Sequence, residues 1–316
     1  MRPPKVSVLI PAYHSAKYLG QAIQSVLEQS FQDFEIIISD NASTDNTEKV
    51  VAAFQDPRVH FYKNHETIGM GENWNRCLFL SKGEYVALLC SDDLWLPLFL
   101  EKTVEILDLY SDIGMCLTQY KFFYDDSDAE WERKILVKPG VYYDFAKIII
   151  QKNPTPISGA LVRHQCYEEV GAFKPFYSAD YDMFLRISKT RWGMYYLALP
   201  LMKFRWHKTN LSNDIYKLAD HAIQVLENHK FELDIEQVRE RTLSEFYMRR
   251  GLSSFSSAVI SKKHAIKDII KSFKLSKKNA IVALAIFLAN EILPRQILVW
   301  LKNSRSMIVQ WAARTK

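Results

Sequence analysis

Asp92 and Asp93 follow directly on the apolar run Tyr85-Val86-Ala87-Leu88-Leu89-Cys90. Two adjacent carboxylates at the mouth of a buried strand cannot both ionise cheaply without a cation beside them, and a strand end that gathers a divalent ion can present it to a phosphate. Two other strand-like runs end in polar or turn-forming residues: Val6-Ser7-Val8-Leu9-Ile10 in Pro11-Ala12-Tyr13, and Glu35-Ile36-Ile37-Ile38-Ser39 in Asp40. Competing chemistries lack their signatures. There is no G-x-x-x-x-G-K-[ST] phosphate loop, and Gly69-Met70-Gly71 has Trp74 where a dinucleotide fingerprint needs its third glycine. Neither a G-x-S-x-G elbow nor an H-E-x-x-H zinc motif occurs.

The elements that must position these groups alternate. The first two runs are short, β-branched and almost continuously apolar, as parallel strands covered on both faces are. Between them Tyr18, Ile23, Val26 and Leu27 recur at helical spacing, and the cap-rich stretch Asn41-Ala42-Ser43-Thr44-Asp45-Asn46-Thr47 precedes Val50, Val51 and Phe54. Further strands are expected over 59–62, 84–90 and 115–120, with helices over 71–81 and 97–111. Residues 1–120 thus predict a doubly wound α/β sheet, whose ligands bind beyond the carboxyl ends of the strands. Residues 121–214 mix short strands, helices and aromatics, and 215–316 read as helical.

Composition narrows the classes. With 316 residues, 48% of them hydrophobic, the chain can bury a large core, so disorder is excluded. Cys77, Cys90, Cys116 and Cys166 show no metal-type spacing and predict a reducing, cytoplasmic setting; the start, which runs at once into a strand, predicts no secretory signal. The net charge of +5 is uneven: residues 261–316 carry +10 and the first 260 carry −5, which argues against nucleic acid as a partner. In the tail, Lys263, Lys267, Lys271, Lys274 and Lys278 oppose a stripe of Ile266, Ile269, Ile270 and Phe273. The apolar run 280–289 that follows is too short to span a bilayer. Two readings stand: the tail lies peripherally on the cytoplasmic membrane face, or it packs on the core with its lysines in solvent.

Three segments, Val6-Ser7-Val8-Leu9-Ile10-Pro11-Ala12-Tyr13, Ile37-Ile38-Ser39-Asp40-Asn41-Ala42-Ser43-Thr44-Asp45 and Gly83-Glu84-Tyr85-Val86-Ala87-Leu88-Leu89-Cys90-Ser91-Asp92-Asp93, resemble family-two glycosyltransferases. Downstream, Gly159-Ala160-Leu161-Val162-Arg163, Val170-Gly171-Ala172-Phe173 and Ala179-Asp180-Tyr181-Asp182-Met183-Phe184-Leu185-Arg186 resemble that family's acceptor-side segments. The resemblance implies a mixed sheet of the GT-A nucleotide-sugar type in 1–214, comprising a nucleotide-binding half (1–120) and an acceptor half (121–214), before the helical tail. It implies a bound Mn2+ or Mg2+ and inverting transfer from a nucleoside-diphosphate sugar, UDP favoured. The acceptor it implies is a saccharide or lipid-linked saccharide, as in bacterial polysaccharide or glycolipid synthesis.

Carried onto this sequence, the resemblance makes Asp92 the metal carboxylate and Asp180 the catalytic base. A sugar hydroxyl needs a base, whereas a nucleoside diphosphate leaves without a protein acid, so one catalytic carboxylate suffices where a glycosidase needs two. His207 falls near the diphosphate as a metal ligand or donor, or is structural. Pro11, Ala12 and Tyr13 wall the base pocket; Asp40 accepts from base or ribose, or caps the next helix. Asn75 and Ser91 face the nucleotide, and Asp93 either joins them or caps the turn into Leu94-Trp95. Asp182 holds Arg186 or a backbone turn, and Tyr177 and Trp192 are candidates to stack on an acceptor. Two usual acidic positions are changed, to Cys90 and Ala179. A non-catalytic carbohydrate-binding relative is therefore one alternative, and a sugar nucleotidyltransferase, which lacks support from any glycine-rich loop after the first strand, is another.

Overall fold

The computed structural model describes residues 2–125, 129–132, 135–255 and 262–276. The chain begins with β1 (Val6–Ala12), α1 (Leu19–Leu27), β2 (Phe34–Asp40), α2 (Thr47–Ala52), β3 (Val59–Lys63), α3 (Met70–Leu80) and β4 (Tyr85–Leu88). A two-residue strand, β5 (Leu94–Trp95), precedes α4 (Phe99–Leu109), the long β6 (Ile113–Tyr124), β7 (Glu130–Glu132), β8 (Gly140–Tyr142) and α5 (Ala146–Lys152). Then come β9 (Ala160–Arg163), α6 (His164–Val170), α7 (Ala179–Ile187), β10 (Gly193–Trp206), α8 (Ile215–Asn228), α9 (Leu233–Phe255) and α10 (Lys262–Leu275).

One sheet runs in the order β3-β2-β1-β4-β9-β6-β10-β5, with β7 added to β6 and β8 to β10. Its first four strands are parallel; β9 then pairs antiparallel with both β4 and β6, which makes the sheet mixed, as the resemblance implies. The apolar runs earn their place by burial on both faces. Val6, Val8 and Ile10 of β1 share a core with Phe34, Ile36 and Ile38 of β2 and with Leu19, Ile23 and Val26 of α1, while α3 packs on the same two strands. Sequence reasoning missed β5 and the 14-residue β10. Pro200 explains part of that, because a proline cannot donate to a ladder; here it sits where the β10 register against β6 shifts.

β5 matters more than its length suggests. Its antiparallel pairing, Met202 with Trp95 and Lys203 with Leu94, folds the segment after β4 back onto the carboxyl end of β10. Residues 89–93 and residues 205–207 are thereby made neighbours.

By its internal contacts the chain divides into two units, residues 1–214 with 224–239, and residues 215–223 with the chain from 240 onward. The segment 224–239, which the sequence reading put in the tail, thus belongs with the sheet. Within the second unit, Arg250 bonds both Asp220 and Asp268, with 2.7 Å contacts to the latter, and Ser244 bonds Ser272. α10 accordingly buries Ala265, Asp268 and Ser272, not the expected isoleucine stripe; Ile266 and Ile270 are each 48% exposed. Lys278 and the run 280–289 lie outside the described residues. No helix among the described residues is long and apolar enough to cross a membrane.

Gly83 shows how tightly β4 is seated. A Cβ there would lie 2.5 Å from the Ser7 amide nitrogen and 2.8 Å from both the Tyr85 oxygen and the Val6 carbonyl carbon, all backbone atoms. Gly83→Ala is expected to destabilise the protein by about 1–3 kcal/mol, the usual cost of overpacking, read as a lower urea midpoint.

Candidate active site

At the ends of β1 and β2 two loops are latched together. The Asp40 carboxylate, fully buried, accepts the hydroxyl of Ser43 and its amide at 3.3 Å. The Ser43 hydroxyl in turn accepts the His14 amide at 2.8 Å, Thr47 accepts the Ser15 amide at 3.0 Å, and Asp45 accepts the Ala16 amide at 3.1 Å. His14 and Ala42 take left-handed backbone, with φ of 49° and 56°, to make these turns. Asp40 therefore builds the turn after β2; it does not cap α2, whose N-cap position is Asn46. Pro11 is partly exposed, Ala12 is buried and Tyr13 stands 53% exposed beside this latch.

After β4 the chain turns through Cys90, Ser91, Asp92 and Asp93. The Ser158 hydroxyl accepts the Cys90 amide at 3.1 Å and donates to Asp93 Oδ2 at 2.7 Å, while Asp93 Oδ1 accepts the Arg205 amide at 3.1 Å. Asp93 is 1% exposed, and burial followed by the charge of Asp92 pushes its carboxyl well above the ordinary range. This corrects the expectation that Asp93 contacts the nucleotide: both its oxygens clamp the sheet. Asp92 faces the other way. Its Oδ2 lies 3.0 Å from His207 Nε2, and His207 Nδ1 is oriented by the Thr209 hydroxyl at 2.9 Å. Ser91 meets Ser15 hydroxyl to hydroxyl at 2.8 Å, joining this turn to the β1 loop.

Cys90 completes the group: its sulfur and carboxylate oxygens of Asp92 and Asp93 all lie within 4.8 Å of one another. Burial, then the charges of Asp93 and Asp92 and more weakly of Asp180, push the thiol up and keep it protonated. Asp180, second residue of α7, is partly exposed, and its charge reaches the Cys90 thiol. Its Oδ1 accepts the Tyr181 amide at 2.8 Å, and burial raises its proton affinity. Ala179, by contrast, is fully buried.

Asn75 is a second correction. Its amide donates to the Phe173 carbonyl at 2.8 Å and accepts the Phe173 amide at 2.7 Å, so it ties α3 to the segment before α7. Trp192, 4% exposed and donating to Glu169, is a core residue, not an acceptor platform; Tyr177 is 43% exposed. Asp182 holds Arg186 at 2.7 Å as foreseen, and also meets His229 Nε2 at 3.0 Å. Sequence reasoning passed over Ser158, Arg205 and His229, which carry no motif.

The donor set of Asp92 and His207, one carboxylate oxygen and one imidazole nitrogen already converging, fits a divalent cation. The profile described as Glycosyl transferase family 2 matches residues 7–171, more than half of the chain. The chain belongs to this family. The glycosyltransferase is 29% identical over 304 residues to an uncharacterized glycosyltransferase of Rickettsia typhi, covering 92% of this chain and 90% of that one. Among solved structures it is similar to S. aureus TarS 1-349 in complex with UDP-GlcNAc, with a TM-score of 0.64 at 18% identity, over 86% of this chain and 81% of that chain. It is likewise similar to the mannosyltransferase PcManGT of Pyrobaculum calidifontis in complex with GDP-Man and Mn2+, with a TM-score of 0.61 at 17% identity, over 95% and 84% of the two chains. These likenesses establish the GT-A fold of the glycosyltransferase, and its family makes it a transferase.

The Asp182 pair gives the glycosyltransferase a pH signature. Burial alone would raise the Asp182 carboxyl, but the hydrogen bond from His229 and the charge of Arg186 outweigh it and hold the carboxyl below its ordinary value. Stability from this lowered group is complete above the unfolded aspartate value of about 3.9 and is lost as pH falls through the lower folded value. Asp182→Asn is expected to cost about 3–5 kcal/mol near neutrality, since it leaves Arg186 without its buried partner. Urea unfolding at pH 7 and at pH 3.5 should show the gap between the two proteins shrinking at the lower pH.

Proposed function

We propose that the enzyme transfers a sugar from a nucleoside diphosphate, UDP favoured, to an acceptor hydroxyl with inversion at the anomeric carbon, and that it depends on Mn2+ or Mg2+. One observation carries this reading. A carboxylate and an imidazole, Asp92 and His207, converge at 3.0 Å just beyond the carboxyl end of β4, beside the thiol of Cys90. The donors present in TarS and PcManGT support it.

Asp92 and His207 hold the cation, with Thr209 fixing the imidazole so that Nε2 faces inward. When bound, the cation neutralises charge that develops on the departing diphosphate. Pro11, Ala12 and Tyr13 line the base side, the Asp40 turn fixes their backbone, and Ser91 stands beside the β1 loop. Asp180 takes the proton of the acceptor hydroxyl as its oxygen bonds to the anomeric carbon and the bond to the diphosphate breaks. A partly buried carboxylate is a stronger base than one in water, which favours that transfer. The departure at Cys90 removes one anionic group from the cation site, so cation affinity rests more heavily on His207.

Asp180→Asn is expected to lower kcat about 10²–10⁴-fold, as loss of a general base does. UDP with Mn2+ is expected to raise its melting temperature by as much as that of the unsubstituted enzyme. Full transfer activity in that variant, measured as sugar released from UDP-sugars to saccharide acceptors, would sink the mechanism.

The exposed pair Ile266 and Ile270, four residues apart with exposed Lys267 between them, favours a membrane-displayed, lipid-linked acceptor. An apolar ridge flanked by lysines suits an anionic bilayer surface. Sedimentation with phosphatidylglycerol vesicles should pull down the enzyme, and Ile266→Ser with Ile270→Ser should reduce that binding severalfold; equal binding to phosphatidylcholine vesicles would remove the electrostatic part of the idea.

A further inference from the structure

Arg205, the penultimate residue of β10, is 3% exposed, although guanidinium groups are seldom buried without a full set of partners. Each of its three nitrogens has a partner, and the partners come from separate parts of the chain. Nε donates to the backbone oxygen of Asp92 at 2.8 Å, Nη1 to Asp125 Oδ1 at 3.0 Å, and Nη2 to Gln21 Oε1. The guanidinium lies over the rings of Tyr18 and Phe123, whose centroids are 4.5 Å and 4.4 Å from its central carbon. Its backbone serves the site as well: the amide donates to Asp93 at 3.1 Å, and the carbonyl accepts the Asn210 side chain at 3.0 Å. Asn210 then accepts the His207 amide, and the Tyr18 ring packs over the His207 ring at 5.1 Å.

Several of these contacts bear on where Asp92 and His207 stand. The Asp92 backbone is held directly, the His207 backbone through Asn210, and the His207 ring through Tyr18, whose hydroxyl shares Asp125 with Arg205 at 2.8 Å. Neither Arg205 nor Asp125 supplies a ligand atom to the group around Asp92. We propose that Arg205 is a positioning residue that sets the separation of Asp92 and His207 for the divalent cation, an inference that rests on the function proposed above. A lysine cannot stand in for it. One ammonium reaches one or two of the three acceptors and lacks the flat face that two rings require.

The test is Mn2+ binding by the full-length protein, followed as loss of the free Mn2+ paramagnetic resonance signal with UDP and, separately, GDP present. Arg205→Lys is expected to weaken Mn2+ binding about 10–100-fold, the range typical when a group supporting metal ligands is lost. In transfer assays the same variant should need correspondingly more Mn2+, with kcat recovered at saturating Mn2+. A merely structural arginine would lower the melting temperature and kcat while leaving the Mn2+ dependence where it was. Should Arg205→Lys fail to fold, Asp125→Asn decides, because Asp125 is 26% exposed at its side chain and its loss loosens the guanidinium without emptying the core. That variant should shift Mn2+ affinity in the same direction by less. An unsubstituted enzyme that takes up no Mn2+ overturns the metal reading beneath this inference. Uptake by the unsubstituted enzyme, with unchanged affinity in a folded variant, overturns the role of Arg205 alone.

Discussion

A buried carboxylate, Asp93, organises this site. Burying Asp93 is costly unless its oxygens are satisfied, and among the described residues the Ser158 hydroxyl and the Arg205 amide satisfy them. Those partners lie 65 and 112 residues away in sequence. The sheet reaches low energy only when the turn after β4, the 3-10 turn at residues 157–159 and the end of β10 meet at one point. Once they meet, the neighbouring residue has no choice of direction: Asp93 points in, so Asp92 points out, toward His207. A single buried hydrogen-bonded group thus fixes the orientation of the exposed one beside it.

The same division of labour recurs on α7. Two residues apart on a helix of 3.6 residues per turn lie on nearly opposite faces, so Asp180 and Asp182 cannot serve one cavity. Asp180 stays partly exposed toward Cys90, while Asp182 is buried against Arg186 and His229. Arg186 extends the anchorage by donating to the carbonyls of Val170, Gly171 and Ala172, at 2.7 Å, 3.0 Å and 2.9 Å. Asn75 then grips Phe173 from α3. The helix that offers Asp180 is therefore tied down on its far side by an ion pair and through the segment preceding it.

What could be seen in the sequence follows from the range of the interactions involved. The strands over β1, β2 and β4 were legible because burial on both faces writes itself as an apolar run, and the helices between them because one face repeats every three to four residues. The strand-end position of Asp92 and its likeness to a known motif were legible together. The roles of Asp93, Asn75 and Asp40 were not, because an aspartate that clamps a fold and one that greets a ligand look alike until distant partners are placed. β10 was hidden by Pro200 and by an uneven pattern that reflects its contacts with β6, β8 and β5 at once. On α10 the misleading signal was hydrophobicity itself: the packed face is Ala265, Asp268 and Ser272, since Arg250 and Ser244 supply polar partners there.

The two altered acidic positions make sense in the same physical frame. Cys90 lies within 4.8 Å of two carboxylates, one of which is buried and held at raised proton affinity. A third carboxylate at that point would add like-charge repulsion to a turn whose geometry already depends on Asp93. A protonated thiol fills the volume without that penalty. Ala179 has no exposure, so a glutamate in its place would need a buried partner, whereas alanine suits the first turn of α7 as it stands. Both replacements spare the fold a negative charge, one beside two carboxylates and the other in a fully buried position. On the function proposed above, the spacing of Asp92 and His207 then counts for more than summed charge, and a buried arginine that bonds the Asp92 backbone bears on that spacing.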